Sequence, residues 1–94
     1  MTTISKTAQA GTMESNDIII IVSPAESGIE IDLSSSVIYQ FGDQIRHVLT
    51  ETLEEQGIDS IMVSAIDRGA LDITVKARLL TALERSGFEI KEGF

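Results

Sequence analysis

The sequence contains no cysteine, and its 94 residues include one proline and one histidine. Without a cysteine thiol, disulfide bonds, thiolate catalysis and cysteine-ligated metal sites are excluded. The single histidine, His47, lies on a predicted helix with only one-turn carboxylate neighbours, so we interpret it as an exposed helix residue and predict no metal site. Since a Ser–His–Asp set and a metal cluster are both missing, the sequence does not favour a free-standing enzyme.

Basic residues are also scarce, with 7 lysines and arginines against 15 acidic residues and a net charge of −8. This charge repels phosphates, so we expect neither nucleic acid nor an anionic membrane as a partner. The acidity, including the run Glu51, Glu54 and Glu55, fits either a solvated surface or docking onto basic protein surfaces. No apolar run approaches the ~20 residues of a membrane span. The N-terminus lacks the apolar region of a secretory signal, so we expect a cytoplasmic protein.

The hydrophobic pattern predicts a small α+β domain with the element order β-β-α-β-α. Residues 1–12 are expected to form a flexible arm, 13–88 the single domain and 89–94 a C-terminal tail. The β-branched run 18–22 predicts a strand buried on both faces, and the alternating run 29–33 predicts its antiparallel hairpin partner. A third strand is expected within 58–66. The predicted fold is a two-layer sandwich, a mainly antiparallel sheet with two helices on one face.

Two amphipathic segments predict the helices. We expect Ser34–Ser36 to cap the first helix and Gly57 to end it, and the second helix to run from Ala70 or Asp72 to Arg85. The apolar positions expected to face the core are Val37, Phe41, Ile45, Val48, Leu49 and Leu53 in the first helix and Ile73 (or Leu71), Val75, Leu79, Leu80 and Leu83 in the second.

Ser15 is the best-placed residue for chemistry. It lies among small or turn-forming residues just before the strand at 18–22, so we expect an exposed hydroxyl that another enzyme can reach. No histidine or lysine is nearby to activate it, so it suits a passive acceptor of a covalent group better than a nucleophile. From the residues alone, an ordinary serine at the start of a strand remains the alternative.

Two other parts of the sequence also resemble functional sites. The segment Asp59-Ser60-Ile61 is similar to the attachment motif of ordinary acyl carrier proteins, but Ser60 leads into a strand and not a helix, so we do not expect its modification. Arg68, Lys76 and Arg78 form the best basic group, and with the N-terminus of the second helix they could contact a phosphate. For Asp67-Arg68-Gly69 itself we prefer an ordinary turn.

Three separate segments carry a family resemblance: Ala10–Asp17, Leu33–Arg46 and Asp67–Leu79. In order and spacing they resemble the acyl carrier (gamma) subunit of citrate lyase, from about Ala10 to Leu83. The resemblance implies that Ser15 carries a covalent 2'-(5''-phosphoribosyl)-3'-dephospho-CoA, and that Glu14 and Asp17 are read by the transferase that attaches it.

The resemblance also implies the role of the chain. The thiol of the attached group bears acetyl and then citryl while citrate is cleaved to oxaloacetate and acetate. The alpha subunit (acyl transferase) and the beta subunit (citryl lyase) perform these steps, and this chain catalyses neither. One alternative is the acyl carrier of malonate decarboxylase, whose serine lies in a Gly-Ser-Gly-Asp-like context, whereas Glu14 precedes Ser15 here. The other is a small α+β interaction module without a covalent group.

Overall fold

A computed structural model describes residues 3–91 and contains six elements. These are β1 (Ala8–Gly11), β2 (Ile18–Ser23), β3 (Gly28–Ser35), α1 (Ile38–Glu55), β4 (Ser60–Asp67) and α2 (Asp72–Arg85). The strands form one sheet in the order β1-β2-β4-β3. The β1–β2 and β2–β4 pairs are antiparallel and the β3–β4 pair is parallel. The α+β sandwich with a mainly antiparallel sheet is confirmed, and both helices pack on one face of it.

The first strand, β1, corrects the prediction that residues 1–12 form a flexible arm. Ala8 pairs with Val22 and Gly11 with Ile19, so the observed order is β-β-β-α-β-α. Ala10 is buried against the sheet and α2, and Ile4 is buried before the strand begins. Alanine and glycine have low strand propensity, which hid this strand in the sequence. Its small side chains nevertheless allow α2 to pack closely over the edge of the sheet.

The predicted hairpin between β2 and β3 is also wrong, because β4 lies between these strands and pairs with both. The short turn at 24–27 suggested a hairpin. After this turn, however, β3 lies on the opposite side of β4 from β2, and β4 fills the position between them. In this arrangement β4 is central, with Ile61, Val63 and Ala65 buried. The central position of β4 brings its C-terminal end beside the start of β2, where the Ser15 segment lies.

Only one face of the sheet is covered by the described residues. In β2, Ile18, Ile20 and Val22 are buried on the helix-covered face, whereas Ile19 and Ile21 lie half-buried on the other face. The prediction that this strand is buried on both faces is therefore wrong. The core lies between the sheet and the two helices.

The helix bounds follow the predicted signals with one exception. Gly57 follows the C-cap residue Gln56 of α1 and adopts φ 75°, as expected of a glycine that ends a helix, and α2 spans a predicted range. The expected serine cap is wrong, because β3 continues through Ser35 and Val37 precedes α1 without a side-chain cap. The Ser35 hydroxyl instead accepts the N–H of Val37 and donates to Asp67.

The first residues of the predicted C-terminal tail contact the rest of the domain. Phe88 and Ile90 pack against the core, and the side chain of Gln56 accepts the N–H of Lys91 and donates to its carbonyl. The rest of the predicted tail, 92–94, and residues 1–2 lie outside the described residues. No helix within 3–91 has the length and apolar character to cross a membrane.

Candidate functional site

Ser15 lies at the tip of the Ser15 loop, which we define as Thr12–Asp17 between β1 and β2. Its side chain is exposed, and its hydroxyl has no hydrogen-bond partner among residues 3–91. The N–H of Asp17 donates to the Glu14 carbonyl at 3.2 Å, and Asn16 adopts φ 64°, so the chain turns tightly around Ser15. Asparagine tolerates this left-handed conformation. The loop thus presents a free hydroxyl to solvent.

Asp17 anchors the base of the loop. It is 9% exposed, and its two carboxylate oxygens accept the Arg78 guanidinium through Nε at 3.0 Å and Nη2 at 2.7 Å. The same carboxylate accepts the Thr12 hydroxyl at 2.7 Å and the N–H of Ile18 at 2.7 Å. The Arg78 hydrogen bonds, followed by that of Thr12, hold the pKa of Asp17 well below its ordinary value, although burial opposes the shift. Asp17 likewise raises the pKa of Arg78.

This geometry gives Asp17 a structural role that the sequence did not predict. A carboxylate this enclosed offers little surface to a transferase, and it fixes the two ends of the loop together. Glu14, in contrast, is exposed and has no side-chain partner within the described chain, so its recognition by a transferase stays a prediction.

Arg68 anchors the loop from the other side. Its carbonyl accepts the N–H of Asn16 at 2.7 Å, its N–H donates to the Asp17 carbonyl at 2.8 Å, and its Nη1 donates to the Met13 carbonyl at 3.1 Å. The turn after β4 is therefore bonded directly to the Ser15 loop. Arg68 is exposed, so its guanidinium adds positive charge beside Ser15.

A buried aspartate shapes that turn. The Asp67 carboxylate accepts the N–H groups of Gly69 at 3.0 Å and Ala70 at 2.9 Å and the Ser35 hydroxyl at 2.8 Å. The predicted turn at 67–69 is confirmed, and Gly69 has φ 91°, which favours glycine. The sequence did not identify Asp67 as the organising residue. An aspartate two residues before a glycine is the available signal, because its side chain can bond the N–H groups that follow.

The predicted basic group of Arg68, Lys76 and Arg78 does not exist as one cluster. Lys76 Nζ lies 3.1 Å from Glu55 Oε1 at the end of α1, and Arg78 is paired with Asp17. Residues two apart on a helix point to different sides, so Lys76 and Arg78 cannot share a ligand near Ser15. Arg68 is the one member whose charge is beside the loop without a carboxylate partner among the described residues.

The remaining candidates are placed as expected. Ser60 is fully buried, and its hydroxyl donates to the Ala25 carbonyl at 2.5 Å, so a modifying enzyme cannot reach it in the folded chain. His47 is exposed on α1 with Nε2 3.5 Å from Glu51 Oε2. Within residues 3–91, no group of three or more histidine, cysteine, aspartate or glutamate side chains could hold a metal ion.

An apolar groove opens next to the loop, between the start of α1 and the start of α2. We call it the α1–α2 groove; it has a volume of about 650 Å³ and is lined by Val37, Phe41, Ile45, Gly69, Leu71 and Ile73, with Gln44 and Asp72 among its polar residues. Phe41 is 52% exposed, Leu71 71% and Ile73 76%. The prediction that Phe41 and either Ile73 or Leu71 face the core is therefore wrong. Helical periodicity identified the apolar face of each helix, but it did not show that the N-terminal part of each face is exposed.

Comparison with known proteins assigns the chain to a family. The family described as Malonate decarboxylase delta subunit matches residues 5–86. The citrate lyase acyl carrier protein of Lactiplantibacillus plantarum is 53% identical over 83 residues, covering 88% of this chain and 86% of that protein. The protein of the same name from Halothermothrix orenii is 51% identical over 83 residues, covering 88% of each chain.

A solved structure shares the fold. A chain in the crystal structure of a Pseudomonas malonate decarboxylase hetero-tetramer in complex with malonate matches with a TM-score of 0.79 and 22% identity, covering 90% of this chain and 88% of that chain. At this identity the likeness supports the α+β architecture alone. The relatives at about half identity and the match to the family model show that the chain belongs to the citrate lyase acyl carrier protein family.

Proposed function

We propose that the chain is the acyl carrier subunit of a citrate lyase complex and that Ser15 bears a covalent 2'-(5''-phosphoribosyl)-3'-dephospho-CoA. The observation that carries the proposal is the Ser15 hydroxyl itself, which is exposed, has no hydrogen-bond partner in the described part of the chain, and lies at the tip of a loop anchored on both sides. The curated relatives carry the citrate lyase name, which favours this function over that of a malonate decarboxylase carrier.

The residues around Ser15 fit an attached phosphodiester. The hydroxyl faces solvent, so a bulky group meets no clash, and the exposed Arg68 guanidinium lies on the loop where it can offset the negative charge of a phosphate. Among residues 3–91 no histidine or lysine forms a hydrogen bond with the Ser15 hydroxyl, which supports attachment by a separate transferase over activation of the serine by this chain. When bound, the group supplies the terminal thiol that bears acetyl or citryl.

In this function the chain is a non-catalytic carrier. Tethering raises the effective concentration of the acyl thioester at partner active sites to the millimolar range. We propose the alpha and beta subunits of the lyase, the prosthetic-group transferase and a cytoplasmic location as its setting. The net charge of −8 supports docking onto basic surfaces of these partners.

The test compares Ser15→Ala with a matched control, Ser27→Ala, which also removes an exposed serine hydroxyl without a side-chain partner among residues 3–91. Each chain is co-expressed with the transferase, its intact mass is measured, and it is added to alpha and beta subunits for citrate cleavage. We expect Ser15→Ala to fold with a stability change within about 0.5 kcal/mol, to remain unmodified and to support no cleavage. The Ser27→Ala chain should be loaded and active.

Two results would contradict the proposal. One is citrate cleavage by complexes that contain Ser15→Ala. The other is a parent chain that shows no added mass at Ser15 although the host cleaves citrate with it. Adding the loaded parent chain to malonate decarboxylase subunits that lack their carrier tests the alternative, because restored malonate decarboxylation in place of citrate cleavage would favour that complex.

A further inference from the structure

Exposed apolar side chains concentrate around Ser15. Five large hydrophobic side chains within the described residues are exposed: Met13, Phe41, Ile66, Leu71 and Ile73. Met13 belongs to the Ser15 loop, and Phe41, Leu71 and Ile73 line the α1–α2 groove. Clustered apolar exposure of this kind marks binding surfaces, because folding alone would bury such side chains. The fold therefore leaves an apolar site open beside the proposed attachment residue.

The groove is joined to the loop through Gly69. This residue lines the groove, and a Cβ placed on it would lie 3.5 Å from Oδ1 of Asn16, the residue after Ser15. Since Gly69 has no side chain, this residue places only backbone atoms between the loop and the groove. A group attached to Ser15 can therefore enter the groove across Gly69.

We infer that the α1–α2 groove seats the adenosine part of the group carried by Ser15, an inference that rests on the proposed function. In that group the phosphate bonded to serine is followed by a ribose, then the adenosine, and only then the pyrophosphate and pantetheine. The adenosine is thus the first apolar, aromatic part beyond the attachment point. The groove volume of about 650 Å³ falls within the range of about 300–1,000 Å³ typical of small-molecule sites.

The lining chemistry favours a base over the other parts of the group. The Phe41 ring offers an aromatic face on which a purine can stack, and Leu71 and Ile73 add aliphatic walls. Gln44 Nε2 donates to Asp72 Oδ2 at 2.8 Å, which leaves the other oxygens of this pair as acceptors for the adenine amino group. The Asp72 carboxylate repels pyrophosphate, so the pyrophosphate belongs outside the groove.

Binding of the adenosine in the groove limits which part of the attached group can move. The adenosine becomes the fixed point of the arm, and only the pantetheine with its thiol swings between partner subunits. A shorter free arm gives a higher effective concentration of the thioester at sites within its reach.

The test is an NMR comparison of the unloaded and loaded chain, with intact mass spectrometry to confirm loading. We expect nuclear Overhauser contacts from the adenine H2 or H8 protons to the Phe41 ring and to Leu71 or Ile73 methyl groups. Amide shift changes should extend beyond the Ser15 loop into residues 41–45 and 69–73. In Phe41→Ala these contacts and the groove shifts should be lost at full loading. Ile66→Ala, which shortens an exposed apolar side chain on the open sheet face, should keep both.

The outcomes separate the two proposals. A fully loaded chain whose shift changes are confined to residues 12–17, or whose groove contacts come from the pantetheine methyl groups, overturns the adenosine site and leaves the carrier function standing. A chain that is never loaded overturns the carrier function. In that case free 3'-dephospho-coenzyme A is titrated into the unloaded chain. Changes in the amide chemical shifts of residues 41–45 and 69–73 that Phe41→Ala abolishes support an adenosine site. If these chemical shifts do not change, the adenosine site is overturned.

Discussion

The hydrogen bonds of Asp17 predict that Asp17→Asn destabilises the chain more than Glu14→Gln, a substitution of the other acidic residue of the Ser15 loop. Asparagine keeps the shape of the side chain but replaces one acceptor oxygen with an NH₂ group. If this group takes the Oδ2 position, it faces two donors, the Thr12 hydroxyl at 2.7 Å and Arg78 Nη2 at 2.7 Å. The loop then loses its bidentate link to α2.

The magnitude follows from burial. Leaving a buried hydrogen-bonding group without its partner costs about 1–3 kcal/mol. The Thr12 hydroxyl can rotate to accept from the new amide, and the Arg78 side chain, 38% exposed, can turn to water. We therefore expect the lower part of this range, a loss of about 1–2 kcal/mol at pH 7, or about 4–16 °C in Tm for a domain of this size. Urea unfolding and thermal unfolding measure both values.

The pH dependence gives an independent signal. The folded-state pKa of Asp17 lies below its unfolded value of about 3.9, so the unfolded chain binds more protons as the pH falls. The contribution of Asp17 is therefore complete above pH ~5 and is lost progressively as the pH falls from there towards the folded-state pKa. The parent chain should lose part of its advantage over Asp17→Asn between pH 5 and 3, since asparagine does not titrate.

Glu14→Gln is the matched control, because it removes one negative charge from the same loop without breaking a described contact. Its effect should stay within about 0.5 kcal/mol and should not depend on pH in this way. The reasoning is refuted if Asp17→Asn is no less stable than Glu14→Gln, or if its difference from the parent is unchanged between pH 7 and 3.

Two further predictions use matched pairs. Gly11 (φ 102°) and Gly28 (φ 77°) both have left-handed backbones, but a Cβ on Gly11 would lie 1.8 Å from the Ile18 carbonyl oxygen, whereas one on Gly28 meets nothing within 4 Å. Gly28→Ala should cost about 1–2 kcal/mol for the backbone alone, and Gly11→Ala about 3 kcal/mol or more beyond that; equal urea midpoints for the two would disprove the clash. Arg68 and Arg46 are exposed, and each donates Nη1 to one carbonyl at 3.1 Å, so Arg68→Ala and Arg46→Ala should lose similar stability. Only Arg68→Ala should slow loading by the transferase, by several-fold in a mass-spectrometric time course, and equal loading rates would remove Arg68 from the site.

Local sequence signals predicted most elements of this fold, and the failures have identifiable physical causes. β-branched runs, helical periodicity and Gly57 placed β2, β3, β4 and both helices, because each signal acts over a few residues. Strand order is different: β4 pairs with both β2 and β3 through contacts between distant residues, which no local pattern encodes. The alanine-rich β1 was missed because packing by α2, and not strand propensity, stabilises it.

The site shows the same division. Exposure of Ser15 followed from its small and turn-forming neighbours, which act locally. The partners that hold the loop did not follow, since Arg78 is 61 residues from Asp17, and Arg68 is 55 residues from Met13. The resemblance implied that Asp17 is read by the transferase, whereas the structure buries its carboxylate against Arg78 of α2. The sequence predicted the exposure of Ser15 but not the residues that position its loop.

These long-range anchors have a consequence for the order of events in the cell. Synthesis produces the Ser15 loop before its anchors, because Arg68 follows Met13 by 55 residues and Arg78 follows Asp17 by 61. Until the β4–α2 segment has folded, the loop lacks both of its anchors. A transferase that recognises the anchored loop would therefore modify finished, folded chains and pass over nascent or truncated ones. Under the proposed function, loading at Ser15 would thus depend on the prior folding of β4 and α2.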